Sequence, residues 1–553
     1  MSNFYEKIGS TLNNVSVTEN GAVGYKTTNH AMLDFNFKVS SYRNNLSQAA
    51  ADFKTMLDEN EAYALKFLFF VRDAREGTGE RDLFRTCLKV LVSHPSVNAD
   101  EVIDTIIKET PEYGRWDDLF VLLDTKYAEK VCSVIKNQLA EDFKGYRSSS
   151  SISLLAKWMP SENASAKDTK KLAKFFIKKF GTTPKEYRTT LSALRDYLKV
   201  VEVKTCAKEW GDIDYNAVPS KANIKYANAF LRNDETRRRQ YLSDLNRGVD
   251  KDGKKVKINS SVNFPHDVIH MYGGEVGYWG GSRIKAYDET IEQLWKNLKG
   301  CEGLKDTIVV RDDSGSMTNT IGGTNVSAYE VATALGIYCA EHNSEAYKNK
   351  IITFSTTPRY LDFSNEQRFG SLWTKYSFLL QHSEVSNTNV EAVFNLILNT
   401  AVENKCTPSE MPKQILIISD MEFDSCGGRG VGMGLMSTIA ARYASYGYKL
   451  PRLVFWNVNS RTGTIPMKEN ENGVVLISGF SQNILKLVQS GKTDPYEVLL
   501  DGLKVERYEA IPLLTFSSAK SDSGSGEGTK KASTTKKKAT SRKTKRKTPD
   551  FLK

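Results

Sequence analysis

The sequence predicts a multidomain chain: an N-terminal α-solenoid, then an α/β domain with a mostly parallel sheet, then a disordered basic tail. Three observations predict this. The 553 residues exceed what one hydrophobic core normally holds. Up to about residue 300 the apolar residues recur at helical spacing, and beyond about residue 305 short Ile- and Val-rich runs alternate with helical stretches. We therefore place the domain boundaries at 1–300, 301–515 and 516–553.

The first segment has the pattern of successive helix pairs. Residues 61–94 form two apolar stretches on either side of the turn sequence "EGTGE". Similar pairs are predicted over 101–124 and 167–202. Helix pairs that follow one another without a strict sequence period indicate a solenoid whose repeats have diverged.

The second segment has the pattern of buried strands separated by helices. Its helical stretches include "TNVEAVFNLILNTAVEN" at 388–404. Alternating strands and helices predict a parallel sheet with right-handed crossovers. The predicted strands lie within 306–314, 349–357, 412–424, 451–459 and 473–480.

Polar side chains follow the predicted strands at the edge where such sheets bind ligands. Asp312, Ser314 and Ser316 come after the first strand, Thr388 precedes a helix, and Asp420 ends a later strand. Carboxylate and hydroxyl oxygens suit Mg²⁺, with Mn²⁺ or Ca²⁺ as alternatives. A bound Mg²⁺ would leave a position for an acidic oxygen from a partner. The alternative is a helix cap and a turn without metal, which use the same residue types.

The positive charge of the chain is concentrated in its tail. Residues Lys520–Lys553 hold 12 Lys and Arg against 3 Asp and Glu, so +9 of the net +11 lies there and +2 lies elsewhere. The tail has too few apolar residues to order itself, and RNA binding, nuclear import and solubilisation remain open as its role. Seven scattered cysteines without a Cys-x-x-Cys pair favour reduced thiols. With no membrane-length apolar run and no signal peptide, we expect a cytoplasmic protein, or a nuclear one in a eukaryotic host.

The order Asp312-x-Ser314-x-Ser316, then Thr388, then Asp420 resembles the metal-ion-dependent adhesion site of von Willebrand factor A domains. The match is specific because three separated segments agree in order, strand context and residue type. The resemblance implies a doubly wound sheet and a divalent cation held by these five residues.

The helical segments resemble the TROVE module of the Ro autoantigen family, particularly its uncharacterised bacterial, viral and plant relatives. The resemblance covers most of residues 20–500 and rests on "FFVRDAREGTGERDLFR", "TPEYGRWDDLF", "LLAKWMPSENA", "YRTTLSALRDYL", "PSKANIKYANAFLRND" and "GAVGYKTTNHAMLDFNF". It implies a ring of HEAT-like helix pairs that binds small or misfolded RNA. For each candidate contact the alternative is a solvated helix face. The candidates are Lys157, Lys171, Lys174, Lys178, Arg188, Lys221, Lys225, Arg237, Arg238 and Arg239.

From these patterns we expect a monomeric, non-catalytic ribonucleoprotein component whose metal site binds a partner. One alternative is a protein-interaction scaffold that uses the metal to hold an acidic residue of a partner protein, without RNA. Another is a metal-dependent phosphoesterase, against which stands the lack of a visible general base or second metal cluster.

Overall fold

The structure is a computed structural model that describes residues 9, 11–276, 282–300, 304–354, 356–385, 387–424, 435–466, 474–488, 492, 494–516 and 548–552. Its packing divides the chain into two compact units: residues 1–90 with 210–513, called here the sheet unit, and residues 91–209 with 514–553, called the helical unit. This grouping follows contacts, whereas the predicted boundaries follow sequence texture and stay a prediction. Most of the predicted disordered tail, 517–547, lies outside the described residues.

The regular elements in the described part of the helical unit are helices, as the periodicity predicts. Helix Lys167–Phe180 ends at Gly181, whose φ of 66° is the left-handed conformation that glycine adopts most easily. Helix Pro184–Tyr197 begins directly afterwards, with Thr183 accepting a hydrogen bond from the Glu186 amide. The other helices are Ala99–Tyr113, Ala128–Ser148, Leu155–Trp158 and Val201–Ala207, with 3₁₀ turns at Trp116–Leu122 and Asp550–Leu552. The helical N-terminal part is thus confirmed, and the ring remains a prediction.

The sheet unit combines helices from both ends of the sequence. Helix Arg81–Ser93 contains the boundary between residues 90 and 91. The helices that precede the large sheet are Ala31–Lys38, Leu46–Asp58, Ala64–Arg72, Ser220–Asn233, Glu235–Arg247, Pro265–Tyr272 and Glu289–Lys296. Those that alternate with its strands or follow them are Ala328–Glu341, Glu366–Phe369, Leu372–Gln381, Val390–Glu403, Leu435–Ser445, Leu485–Val488 and Pro495–Leu503.

Ten strands lie in the described part of the sheet unit. Four form two short antiparallel pairs: β1 (Val15–Val17) with β2 (Val23–Tyr25), and β3 (Glu275–Val276) with β4 (Ser282–Arg283). The other six form one sheet: β5 (Thr307–Asp312), β6 (Lys350–Phe354), β7 (Arg359–Asp362), β8 (Gln414–Ser419), β9 (Arg452–Asn457) and β10 (Val474–Ser478).

The six-stranded sheet has the order β10-β9-β8-β5-β6-β7. All neighbours pair in parallel except the edge strand β7, which is antiparallel to β6 and was not among the predicted strands. From β5 the chain adds β6 and β7 on one side, and it then adds β8, β9 and β10 on the other side. The strand order therefore reverses between β5 and β8, and a crevice is expected beyond their carboxyl ends.

Burial explains why these strands read as continuous apolar runs. All six residues of β8 are buried, and helix Ala328–Glu341 is buried along almost its whole length. A strand that is covered on both faces has no solvent face on which polar residues could alternate.

Among the described residues, the structure contains no helix whose length and apolar content would let it span a membrane.

Candidate functional site

The carboxyl ends of β5 and β8 place two carboxylates at the reversal point of the sheet. Asp312 is the last residue of β5 and is fully buried. Its Oδ1 accepts a hydrogen bond from the Ser314 amide at 2.9 Å, and its Oδ2 accepts one from the Ser419 hydroxyl at 2.5 Å. Burial raises the pKa of Asp312 to about 6, against the opposing effect of these hydrogen bonds.

Asp420, which directly follows β8, has an oxygen that no donor satisfies. Its Oδ1 accepts from the Glu422 amide at 3.3 Å, but its buried Oδ2 has no hydrogen-bond partner among the described residues. Burial, and then the charge of Asp312, raise the pKa of Asp420 to about 7, while Arg461 opposes the shift. The Arg461 Nη2 atom lies 3.6 Å from Oδ2. A buried carboxylate oxygen without a donor is the kind of atom that a cation would satisfy.

The two predicted serine ligands lie on the turn that leaves β5. Ser314 is fully buried and precedes the short 3₁₀ helix Gly315–Thr318. The hydroxyl oxygens of Ser314 and Ser316 are 3.1 Å apart. The turn is tied to the neighbouring strand because the Asp420 amide contacts the Met317 sulfur at 3.3 Å. Four of the five predicted ligands therefore belong to one connected cluster.

Thr388 reaches the same edge through the segment that follows Asp420. Its amide donates to the Asp424 carboxylate, and its carbonyl accepts from the Asp424 amide, both at 3.0 Å. Its side-chain oxygen accepts a hydrogen bond from the Asn20 amide group at 3.1 Å. Thr388 is thus held in place from two sides.

Sequence reasoning missed the contribution of the turn between β1 and β2. The Asn20 side chain also donates to the Glu422 carbonyl at 2.6 Å, and the Thr18 hydroxyl donates to the Phe423 carbonyl at 2.6 Å. The Glu19 carboxylate pairs with Arg461. Thr18, Glu19 and Asn20 directly precede "GAVGYKTTNHAMLDFNF", which the resemblance assigned to the helical module, and no local pattern links them to residues about 400 positions later.

The other carboxylates at this edge are occupied by protein donors. Glu422 is fully buried and accepts from the backbone amides of Glu19 at 2.8 Å and Thr462 at 2.9 Å. Asp313 pairs with the Arg311 guanidinium at 2.8 Å and accepts from the Ser383 hydroxyl. Asp420 instead has an unsatisfied oxygen, and Asp312 keeps lone pairs beyond its two hydrogen bonds.

The donor set fits a hard divalent cation. It offers two carboxylates, together with the hydroxyls of Ser314, Ser316 and Thr388, and Mg²⁺ prefers such oxygen ligands. Within the described ranges no group of three or more His, Cys, Asp or Glu side chains could hold a metal. A site at this edge would consequently depend on hydroxyl oxygens as well as on the two carboxylates.

The predicted RNA-binding residues of the helical unit divide into free and paired side chains. Lys171, Lys174 and Lys178 are exposed on helix Lys167–Phe180 and have no ion-pair partner in the part of the chain that the structure describes. Lys157 is half-buried, lies 3.6 Å from the Glu202 carboxylate and contacts the Trp158 ring. Arg188 pairs with Glu162 at 3.0 Å.

The candidates in the sheet unit are mostly held by neighbouring groups. Lys221 pairs with Asp267, and Lys225 lies over the Tyr226 ring. Arg237 donates to the carbonyls of Trp210 and Ile213. Arg239 pairs with Glu235 at 2.8 Å.

Arg238 is a correction to the predicted set. Its side chain is fully buried, with the guanidinium 5.0–5.3 Å from three aromatic ring centres. The rings belong to Tyr215, Phe230 and Tyr241. A buried cation stacked among aromatic rings contributes to packing and presents no charge to a ligand, so Arg238 leaves the RNA-binding set.

Comparisons with known proteins find similarity over most of the chain. Residues 306–540 match the model of a domain of unknown function, DUF7788, and residues 18–140 and 178–300 match that of another, DUF2828. Over 535 residues the chain is 29% identical to "Uncharacterized protein L728" of Acanthamoeba polyphaga mimivirus, covering 89% of this chain and 87% of that protein. The crystal structure of the Deinococcus radiodurans RO (RSR) protein matches with a TM-score of 0.42 at 13% identity, over 78% of this chain and 91% of that chain.

Proposed function

We propose that this is a non-catalytic RNA-binding protein of the Ro type, in which a divalent cation at the sheet edge binds an anionic group of a partner. The sequence resemblance of the helical segments to the TROVE module supports the choice of RNA. The structural observation that carries it is a row of unpaired lysines on one helix.

Helix Lys167–Phe180 buries Ala173, Phe176 and Phe180 on one face. The lysines on its other face are exposed and without ion-pair partners among the described residues: Lys167, Lys170, Lys171, Lys174 and Lys178. Four other exposed lysines of the same unit are paired with carboxylates: Lys108, Lys126, Lys130 and Lys144. Uncompensated cations on one face can bind phosphates and release counterions.

The test compares two full-length variants that lose the same charge. We expect Lys170, Lys171, Lys174 and Lys178, all changed to Gln, to lower RNA crosslinking at least tenfold. The slope of log affinity against log salt should become shallower by about 3, because each phosphate contact on single strands contributes about 0.7. The matched control changes Lys108, Lys126, Lys130 and Lys144 to Gln. If both variants lose binding equally, or neither does, RNA binding by this helix is refuted.

The metal part of the proposal is supported by the sheet. Its strand order, with one antiparallel edge strand, fits the von Willebrand factor A fold that the motif resembles. Asp312, Ser314, Ser316, Thr388 and Asp420 would hold the ion. When bound, the ion would supply a Lewis-acidic position for an anionic oxygen of the partner.

A protein-interaction scaffold is the second candidate, and the charge distribution favours it. Outside Lys520–Lys553 the chain carries only +2, which is little for a protein that binds RNA mainly through charge. Metal-dependent capture of a protein that persists in the lysine variant, together with unchanged background RNA recovery, would favour the scaffold.

A further inference from the structure

A polar cavity of about 740 Å³ lies beside the metal edge, within the sheet unit. We propose that this polar cavity binds a sugar phosphate, a phosphate ester whose sugar carries free hydroxyl groups. Its walls come from helices Ala31–Lys38 and Leu46–Asp58 and from the loop after β9. None of the described lining residues has an aliphatic side chain, so the cavity does not suit an apolar ligand.

Two cations make the polar cavity attractive to an anion. Lys38 is half-buried at the end of its helix, and its Cε lies 3.5 Å from the position that a Cβ atom would take at Gly463. The Lys38 ammonium has no carboxylate partner within the described residues. Arg461, also in the lining, is shared between Glu19 and Asp420 at the metal edge. A partly desolvated, uncompensated ammonium beside a guanidinium favours a phosphate.

The hydrogen-bonding groups of the polar cavity favour a sugar beside that phosphate. The Ser41 hydroxyl oxygen is buried and has no hydrogen-bond partner in the part of the chain that the structure describes. The Asp52 carboxylate accepts one hydrogen bond on each oxygen, from Tyr42 at 2.6 Å and Gln48 at 2.7 Å, and keeps free lone pairs. Polar groups with spare hydrogen-bonding capacity match sugar hydroxyls.

The same groups disfavour an acidic peptide. Asp52 lines the same cavity as Lys38, so a ligand with one anionic group suits these charges better than an acidic segment with several. The cavity also lacks the apolar pockets that anchor peptide side chains. The Tyr42 ring is only 3% exposed, so no aromatic face is available to stack a base. We therefore expect binding that is independent of base identity.

This inference rests on the proposed function for its place beside the metal, but Lys38 and Ser41 are not metal ligands. Calorimetry on the full-length protein should show ribose 5-phosphate binding at least tenfold more tightly than ribose, and AMP and UMP binding alike. Lys38→Met should weaken ribose 5-phosphate at least tenfold, and Ser41→Ala several-fold. Lys54→Met is the matched control, since Lys54 is exposed on helix Leu46–Asp58 and paired with Asp58.

Unchanged binding in Lys38→Met would overturn the inference, as would Lys38-dependent binding of an Asp- and Glu-rich peptide without binding of ribose 5-phosphate. A 5′-phosphorylated tetranucleotide that binds more tightly than AMP would identify an RNA end as the source, whereas equal affinity would identify a free nucleotide. If ribose 5-phosphate binds equally in EDTA and in Mg²⁺, the sugar-phosphate inference is retained, and its link to the metal proposal is lost.

Discussion

At the scale of single residues, the metal proposal depends on Asp312 and Asp420. Both carboxylates are buried at the reversal point of the sheet. Burial raises both pKa values, and the charge of Asp312 raises that of Asp420 further. A divalent cation would compensate both charges at once. Removing one carboxylate should therefore both relieve the repulsion and eliminate the metal site.

We predict that Asp312→Ala abolishes stabilisation by Mg²⁺ without lowering the stability of the metal-free protein by a similar amount. For the parent protein, Mg²⁺ at 100 times its Kd should add about 2.7 kcal/mol to the free energy of unfolding. Thermal unfolding with Mg²⁺ and with EDTA measures both quantities. Asp306→Asn, just before the opposite end of β5, is the control. A Mg²⁺ effect retained in Asp312→Ala would show that the assignment is wrong.

His266 gives the sheet unit a predicted acid sensitivity. Burial lowers the pKa of His266 to about 4, and the charges of Arg43, Lys221 and His270 act in the same direction while Asp267 opposes them. The His266 imidazole is protonated near pH 6.5 in the unfolded chain, but only near pH 4 in the folded protein. The free energy of unfolding should therefore fall by up to about 3 kcal/mol as the pH drops across this window.

The measurement is urea unfolding of the parent protein and of His266→Gln between pH 7 and pH 4. The two profiles should converge as the pH falls, because the variant has no imidazole to protonate in its unfolded state. Parallel profiles would show that His266 does not titrate with a lowered pKa.

At the scale of elements, the β1–β2 pair acts as a support for the metal edge. Backbone hydrogen bonds between Tyr25 and Ile465, both at 2.8 Å, attach it to the segment that follows β9. Asn20 in its turn contacts both Thr388 and the Glu422 carbonyl. Mutation of groups that orient a ligand in this way typically lowers metal affinity by about 10- to 100-fold.

We predict that Asn20→Ala lowers Mg²⁺ affinity about tenfold, because Thr388 loses the donor that orients its hydroxyl. Titration calorimetry on the full-length protein measures the change. Asn13→Ala, at an exposed position just before β1, is the matched control. If the two variants bind Mg²⁺ equally well, the turn has no positioning role.

At the scale of the whole molecule, neither the charge nor the compact units follow the segments that the sequence predicts. Most of the net charge lies in the tail, yet a local row of unpaired lysines occurs on helix Lys167–Phe180. The N-terminal 90 residues group with the sheet and not with residues 91–209. The residues that surround the metal edge therefore come from both ends of the sequence.

The sequence by itself determined the helical first part, the parallel sheet and the choice of candidate ligands. Helical and strand periodicity are local, and Asp312, Ser314 and Ser316 lie within five residues, so these features need no knowledge of distant contacts. Asp420 could be added because parallel strands end at the same edge.

Only the tertiary structure decided which distant groups join them. The contacts of Asn20 with Thr388 and of Glu19 with Arg461 join residues about 370 to 440 positions apart, and such pairs leave no mark on local spacing. The same reason applies to charge. Lys171 and Arg238 look alike in sequence, but one is exposed without a partner and the other is enclosed by aromatic rings, because burial depends on what packs against each helix face.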